Sequence, residues 1–250
     1  MSGPVALHGG GEFLAGDEAF LAALLELAAR GTGGRRPVRV AVVPTAAARG
    51  RPDLAAANGV EAFERVAAMS GLEIDARAVG VVSRATAADA GLAERLAAAD
   101  VVYLLGGDPD LIPTIMSGSS AWAAITDAHV AGAVLAGASA GAMALGSWTW
   151  TPGGGMAGLM VVHGLVVVPH ARPATWSKTI ERFRAWAPDG LGALGLAEQT
   201  GVISEDVPSG GSTIPWRVVG PGEARWLPVP GGETIVARSG ERIQTPVIPL

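Results

Sequence analysis

The chain has 250 residues, a formal net charge of −5 at pH 7, no cysteine and four histidines. The lack of cysteine excludes disulfides, cysteine-ligated metal sites and a cysteine nucleophile, and the negative charge gives no electrostatic basis for binding nucleic acid. With 49% hydrophobic and 16% charged residues, we expect one globular domain without cofactor or metal. No leader pattern and no apolar run of membrane-spanning length is visible, so we expect a cytoplasmic protein that does not enter a membrane.

Short apolar runs alternate with longer amphipathic stretches through the first two-thirds of the chain. The run at residues 5–8 ends in three glycines, and a helix with Asp17 at its N-cap is predicted to follow. Further strands are predicted at residues 38–43, 72–79, 101–105 and 133–136, and helices at residues 52–68, 87–99, 111–116 and 120–129. Such alternation indicates the α/β class: a mostly parallel central sheet with helices on both faces and ligands at the carboxyl ends of its strands.

The pattern changes after residue 150. We predict a strand at residues 164–168, stopped by Pro169, and a short helix at residues 177–186 with Ser177 as its cap. Glycine and proline then separate short apolar runs, which predict antiparallel strands attached to the main sheet at residues 216–219, 224–227 and 234–237.

The strongest chemical motif is Gly137-Ala-Ser139-Ala-Gly141, which fits G-x-S-x-G directly after an apolar strand. Small residues around the serine allow a sharp strand-to-helix turn that lifts the hydroxyl clear of the sheet. The N–H group of Ala140 would then face the developing oxyanion. The non-catalytic alternative is an ordinary tight turn, because the pattern is common in sequences rich in glycine and alanine.

A serine nucleophile needs a base, and histidine is the usual one. His8 ends the first strand in a glycine-rich turn, His129 is interpreted as a solvated residue late in a helix, and His163 as a core or edge residue. We favour His170, because it follows a predicted strand at its exit, where catalytic groups collect. The alternative is that His170 is an ordinary loop histidine.

The position of the acid follows from a gap in the sequence. Residues 140–180 contain neither Asp nor Glu, so the order Ser, acid, His of α/β-hydrolases cannot be built. The acid must precede the serine or follow the histidine, where the candidates are Glu181, Asp189, Glu198, Glu205 and Asp206. Glu198 stands alone in an apolar run, where a carboxylate needs a partner, so Ser139, His170 and Glu198 form the best triad.

A second oxyanion donor is expected from Gly106-Gly107-Asp108, which ends the neighbouring predicted strand. A glycine N–H can approach a ligand with no Cβ in the way. The sequence is equally compatible with a turn that leads into a helix, with Asp108 as its cap.

These residues resemble the peptidase E and cyanophycinase family of serine peptidases, whose fold is like that of class I glutamine amidotransferases. The resemblance covers most of residues 4–235 and rests on His8-Gly-Gly-Gly-Glu-Phe13, Val43-Pro-Thr-Ala46, Tyr103-Leu-Leu-Gly-Gly-Asp108, Gly137-Ala-Ser-Ala-Gly-Ala142, Pro169-His170 and Gly195-Leu-Ala-Glu198-Gln-Thr200. It implies that Ser139, His170 and Glu198 are catalytic, that Gly107 and Ala140 form the oxyanion hole, and that cleavage follows aspartyl or β-aspartyl residues.

The family pattern is altered at the positions that would surround the substrate. Pro169 and Ala171 flank the base where cyanophycinase-like members usually have Gln and Phe, and residues 151–155 lack the acidic residue that peptidase E carries after its nucleophile. An aspartyl substrate would need a cation, for which Arg172 is the first candidate. The further candidates for substrate contacts are Arg49, Arg51, Asp108 and, for an apolar pocket, Trp148 with Trp150. The alternatives are ordinary surface positions for the arginines, which we favour for Arg51, and edge or core positions for the two tryptophans, which we favour for both.

The sequence therefore predicts a serine peptidase that acts on a small peptide, with a homodimer as an option for its oligomeric state. The altered surroundings of His170 keep open a non-catalytic member of the same fold that binds a small ligand or partner. An esterase or amidase of unrelated specificity would use the same residues. An amidotransferase-type glutaminase is disfavoured, because the chain has no cysteine.

Overall fold

A computed structural model describes residues 2–34, 37–205, 213–228 and 232–246. The helices are α1 (Glu18–Thr32), α2 (Pro52–Ser70), α3 (Arg84–Ala87), α4 (Ala90–Ala97), α5 (Leu111–Met116), α6 (Ser120–Val130), α7 (Ala140–Leu145) and α8 (Trp176–Trp186). The strands are β1 (Val5–His8), β2 (Val38–Val43), β3 (Ile74–Ala78), β4 (Val101–Leu104), β5 (Val134–Ala138), β6 (Trp148–Thr149), β7 (Met156–Ala157), β8 (Leu165–Val168), β9 (Gly192–Leu196), β10 (Gly201–Ser204), β11 (Thr213–Val219), β12 (Glu223–Leu227), β13 (Ile235–Arg238) and β14 (Arg242–Pro246).

The described residues form a main sheet of eight strands in the order β14-β11-β10-β1-β5-β4-β2-β3. The five strands from β1 to β3 in this order are parallel, whereas β10, β11 and β14 pair antiparallel at the other edge. The predicted α/β class, with a mostly parallel sheet and antiparallel strands near the C-terminus, is confirmed.

Helices cover both faces of the main sheet because its strands are apolar on both sides. In β4, Val101 and Tyr103 belong to the buried cluster that contains α1 and α2, whereas Val102 and Leu104 belong to the cluster under α5 and α6. Successive side chains of a strand point to opposite faces, so one apolar run supports both layers. In the part of the chain that the structure describes, no helix combines the length and the apolar character needed to cross a membrane.

A second sheet of four strands, in the order β13-β12-β9-β8, corrects one prediction. Residues 216–219 lie in the main sheet as predicted, but residues 224–227 and 234–237 belong to this second sheet. The indole of Trp226 explains the position of β12, since it packs on β9 where a Cβ on Gly192 would overlap it. The second sheet matters for function because β8 and β9 are parallel and end side by side.

Three predicted helix features differ from the structure. The helix predicted at residues 87–99 is shorter, since α3 ends at Ala87 and α4 begins only at Ala90, where the Asp89 carboxylate accepts a hydrogen bond from Leu92 N at 2.8 Å. The last helix begins at Trp176, so Ser177 lies inside it rather than at its cap. Asp17 occupies the N-cap position of α1 but makes no capping hydrogen bond.

Candidate active site

Ser139 lies in a strained turn between β5 and α7. Its backbone has φ 48° and ψ −111°, a conformation that non-glycine residues rarely adopt. The turn is packed too tightly for larger neighbours, because a Cβ on Gly137 would lie 2.5 Å from backbone atoms of Gly141. Ser139 N donates to the carbonyl oxygen of His8 at 2.9 Å, which ties the turn to β1. The Ser139 side chain therefore stands at the carboxyl end of the parallel strands.

His170 and Glu198 meet Ser139 in a continuous chain of polar contacts. Ser139 Oγ lies 3.1 Å from His170 Nε2, and His170 Nδ1 lies 3.0 Å from Glu198 Oε1. Since a carboxylate can only accept, the proton on Nδ1 faces Glu198 and leaves Nε2 free to accept the hydroxyl proton. The imidazole and the carboxylate are each 47% exposed, so the site is open to solvent.

The hydrogen bond from His170 is the main cause that lowers the pKa of Glu198 below its ordinary value. The charge of the imidazolium acts in the same direction, and Arg172, whose Nη2 lies 3.7 Å from Glu198 Oε1, adds a smaller effect. Glu198 is therefore ionised at neutral pH and can orient the imidazole.

The three side chains come from the ends of three strands. Ser139 follows β5, His170 comes two residues after β8, and Glu198 comes two residues after β9. His170 has φ 53°, and the adjacent Ala171 N donates to the carbonyl oxygen of Leu196 at 2.9 Å. The carboxyl ends of the main and second sheets thus meet at this point.

The other three histidines take no part in the chain of contacts from Ser139 to Glu198. His8 is completely buried beside Asp17. His163 is partly buried in the turn before β8. The prediction of a solvated His129 is wrong: its ring is partly buried, burial lowers its pKa, and its Nδ1 lies 3.2 Å from the carbonyl oxygen of Ala133.

Gly107 and Ala140 line the same cavity as Ser139 and His170. Gly107 has φ 145°, and a Cβ there would overlap the carbonyl oxygen of Ala46, so only glycine fits this turn. Asp108 does not cap the following helix, which begins at Leu111; it lies outside the cavity, with Oδ2 3.6 Å from Arg49 Nη1.

The cavity has a volume of about 340 Å³ and a mostly apolar lining. Its lining residues are Gly107, Pro109, Ser139, Ala140, Met143, Trp150, Val167, Val168, Pro169, His170, Thr179, Arg182, Phe183 and Trp186. Trp150 rather than Trp148 lines it, since Trp148 packs against the buried cluster around Val166 and Trp176.

The arginine in the cavity is one that sequence reasoning missed. Arg182 comes from α8, on the same helical face as Thr179 and Trp186. Arg49 forms two hydrogen bonds with the Asp110 carboxylate, which balances its charge, and Arg172 lies beside Glu198. The helical spacing of Thr179, Arg182 and Trp186 was the signal that could have pointed to this face.

Comparison with known proteins agrees with this fold. A family model described as peptidase family S51 matches residues 5–206, so the protein is a serine-type peptidase. The chain belongs to peptidase family S51, which agrees with the resemblance to peptidase E.

Two solved structures are similar in fold. A peptidase from an acI-B1 Actinobacterium is 24% identical, with 98% of each chain covered and a TM-score of 0.75. A putative peptidase E protein from Listeria monocytogenes EGD-e is 15% identical, with 95% of this chain and 99% of that chain covered and a TM-score of 0.53. No curated protein gives a significant sequence match.

Proposed function

We propose that Ser139, His170 and Glu198 are the catalytic triad of this peptidase. The observation that carries the proposal is the unbroken chain of contacts from Ser139 Oγ to His170 Nε2 at 3.1 Å and from His170 Nδ1 to Glu198 Oε1 at 3.0 Å. The strained turn at Ser139 supports it further, since a nucleophile elbow needs such a backbone to present its hydroxyl.

In the proposed reaction, Ser139 Oγ attacks the peptide carbonyl carbon while His170 Nε2 takes the hydroxyl proton. The N–H groups of Gly107 and Ala140 stabilise the resulting oxyanion. His170 then gives its proton to the leaving amine, the C–N bond breaks, and an acyl-enzyme on Ser139 remains. His170 then takes a proton from a water molecule, which attacks the acyl carbon; the ester bond to Ser139 Oγ breaks, the acid product leaves, and His170 returns the proton to Ser139 Oγ. Ionised Glu198 stabilises the imidazolium in both steps.

For the substrate, we propose short peptides with an aspartyl or β-aspartyl residue on the acyl side of the cleaved bond. Arg182 supports this specificity, because it lines the cavity and has no carboxylate partner among the described residues. A guanidinium binds a carboxylate through charge-assisted hydrogen bonds. Arg172 is the second cation near the triad, although Glu198 already lies beside it.

A fluorophosphonate probe tests the triad, since it forms an adduct only with an activated serine. We expect one adduct on Ser139 of the folded protein, no adduct in Ser139→Ala, and normal labelling in the matched variant Ser70→Ala, whose serine is exposed at the end of α2. Absence of labelling in the folded wild type would instead indicate a non-catalytic, ligand-binding member of this fold.

A substrate panel then tests the specificity. We expect hydrolysis of Asp-X or β-Asp-X dipeptides that exceeds hydrolysis of neutral dipeptides and is lost in Ser139→Ala. Cleavage of esters alone, at the same serine, would show an esterase and overturn the aspartyl assignment.

A further inference from the structure

Two buried titratable side chains near the site have no place in the proposed reaction. His8, at the end of β1, is 0% exposed, and Asp17, before α1, is 1% exposed. His8 Nε2 lies 2.9 Å from Asp17 Oδ1. The first part of the segment that joins them, residues 9–13, is called the amino-terminal loop here.

The His8–Asp17 pair holds this loop at two points. Gly10 N donates to His8 Nδ1 at 3.3 Å, and Phe13 N donates to Asp17 Oδ2 at 2.9 Å. Because Nδ1 accepts, the ring proton must be on Nε2, where it faces the Asp17 carboxylate. This tautomer of His8 accepts from Gly10 and places Nε2 2.9 Å from Asp17 Oδ1, a close contact whose angle lies outside hydrogen-bond geometry.

The loop in turn contacts the segments that carry the triad. His170 N donates to the carbonyl oxygen of Gly9, and Gln199 N, next to Glu198, donates to the carbonyl oxygen of Gly10, both at 2.8 Å. Gly10 also packs directly against the His170 imidazole, since a Cβ there would overlap the ring.

The same loop reaches the oxyanion side of the site. Glu12 Oε1 accepts a hydrogen bond from Gly106 N at 3.0 Å, immediately before Gly107. The carbonyl oxygen of His8 accepts from Ser139 N at 2.9 Å. A shift of the amino-terminal loop would therefore move the base, the acid and the oxyanion turn relative to the nucleophile.

We propose that the His8–Asp17 pair positions the catalytic groups by fixing the amino-terminal loop; this inference rests on the proposed triad. A need for stability does not explain the pair, because two buried polar side chains stabilise a fold no better than apolar ones of similar size. Its effect is geometric: it fixes Gly10 and Phe13, and thereby the backbone to which His170 and the residue after Glu198 are bonded.

The variant Asp17→Asn tests this role with little change in size. If the Asn oxygen accepts from Phe13 N, its NH₂ group faces His8 Nε2, so His8 must move its proton to Nδ1 and oppose Gly10 N–H. We expect the maximal rate of fluorophosphonate labelling of Ser139 to fall about 10- to 100-fold, as misplaced catalytic groups do, while the dissociation constant of the probe stays the same. The ¹⁵N NMR signals of His8 should change from the Nε2–H to the Nδ1–H form.

A control separates positioning from stability. Thr245→Val removes the buried hydrogen bond from Trp216 Nε1 to Thr245 Oγ1, 2.8 Å long and in the main sheet at β11 and β14. It should lower Tm but leave the labelling rate unchanged. If Asp17→Asn lowers Tm to the same extent and also keeps the wild-type labelling rate, the proposal is overturned.

A second variant covers the case that Asp17→Asn does not fold. His8→Gln keeps a donor toward Asp17 but offers no acceptor placed as Nδ1 is for Gly10, so the labelling rate should again fall at an unchanged dissociation constant. A wild-type rate in His8→Gln contradicts the positioning role. Labelling that persists in Ser139→Ala is a different result, because it would contradict the proposed triad rather than the positioning role of His8 and Asp17.

Discussion

Ser139 and His170 face each other across 3.1 Å from backbones that both have positive φ, 48° and 53°. Each residue follows a strand of a different sheet, and each is held by a hydrogen bond to the segment around β1. Such backbones cost roughly 1–3 kcal/mol each and persist only where the surrounding structure imposes them. The strain at both residues therefore coincides with the contact on which the proposed reaction depends.

The strain at Ser139 predicts opposite effects of one substitution on activity and stability. Ser139→Gly should abolish peptidase activity and raise the free energy of unfolding by about 1 kcal/mol, since glycine relieves the strain but gains freedom in the unfolded chain. Urea denaturation measures this change. Ser139→Ala is the control, because it removes the hydroxyl and keeps the strained backbone; equal stability of the two variants would contradict the prediction.

Gly107→Ala should damage the proposed oxyanion hole. The new Cβ would overlap the carbonyl oxygen of Ala46, so the turn must shift and carry the Gly107 N–H from its present position. Loss of one oxyanion donor lowers kcat by about 100- to 1,000-fold, and we expect a fall of that order. In Gly80→Ala the new Cβ meets no atom within 4 Å, and kcat should stay at the wild-type value. A fully active Gly107→Ala would exclude Gly107 as a donor.

Arg182→Ala should change substrate preference more than overall activity. We expect kcat/KM for aspartyl dipeptides to fall by about 10- to 100-fold, the effect of losing a hydrogen bond between charged groups, with little change for neutral dipeptides. Arg184 is the matched control, since it is exposed on the same helix but does not line the cavity. An equal loss for charged and neutral substrates would argue against carboxylate recognition.

The carboxyl group of Glu198 should titrate below the ordinary range of a glutamate. Its pKa is lowered first by the hydrogen bond from His170 and less by Arg172, so His170→Ala should raise the pKa more than Arg172→Ala does. ¹³C NMR of the carboxyl group measures both shifts. Because the pKa in the folded state is lowered, the contact with His170 is complete above the pKa of an unfolded glutamate and is lost as pH falls through the lowered value. The reverse order of the two variants would contradict the assignment of causes.

The local elements and the motif order of the site were predictable because both are short-range patterns. The strands β1, β2, β4 and β5 are mostly apolar runs with glycine or proline at or shortly after their carboxyl ends. The absence of acids from residues 140–180 excluded the order Ser, acid, His, and the apolar surroundings of Glu198 favoured it among the later carboxylates. The structure brings Glu198 to His170 Nδ1. The catalytic role of that contact stays a prediction.

The second sheet could not be predicted because its strands depend on distant partners. In β9, Gly192 and Gly195 weaken the local strand pattern, yet they make room for the indoles of Trp226 and Trp176, which a Cβ would overlap. The cavity was missed for a similar reason. Arg182 and Trp150 approach Ser139 only once α8 and the second sheet are packed; the helical spacing marks the face of α8 that carries Arg182, but it does not show what that face packs against.

The proposed nucleophile, Ser139, follows a strand of the main sheet, whereas the proposed base, His170, follows a strand of the second sheet. A sliding of one sheet over the other by a fraction of an ångström would leave the core buried and the circular dichroism unchanged, yet it would separate Ser139 Oγ from His170 Nε2. Catalysis by the proposed triad would therefore report the relative position of the two sheets more sensitively than any measurement of secondary structure.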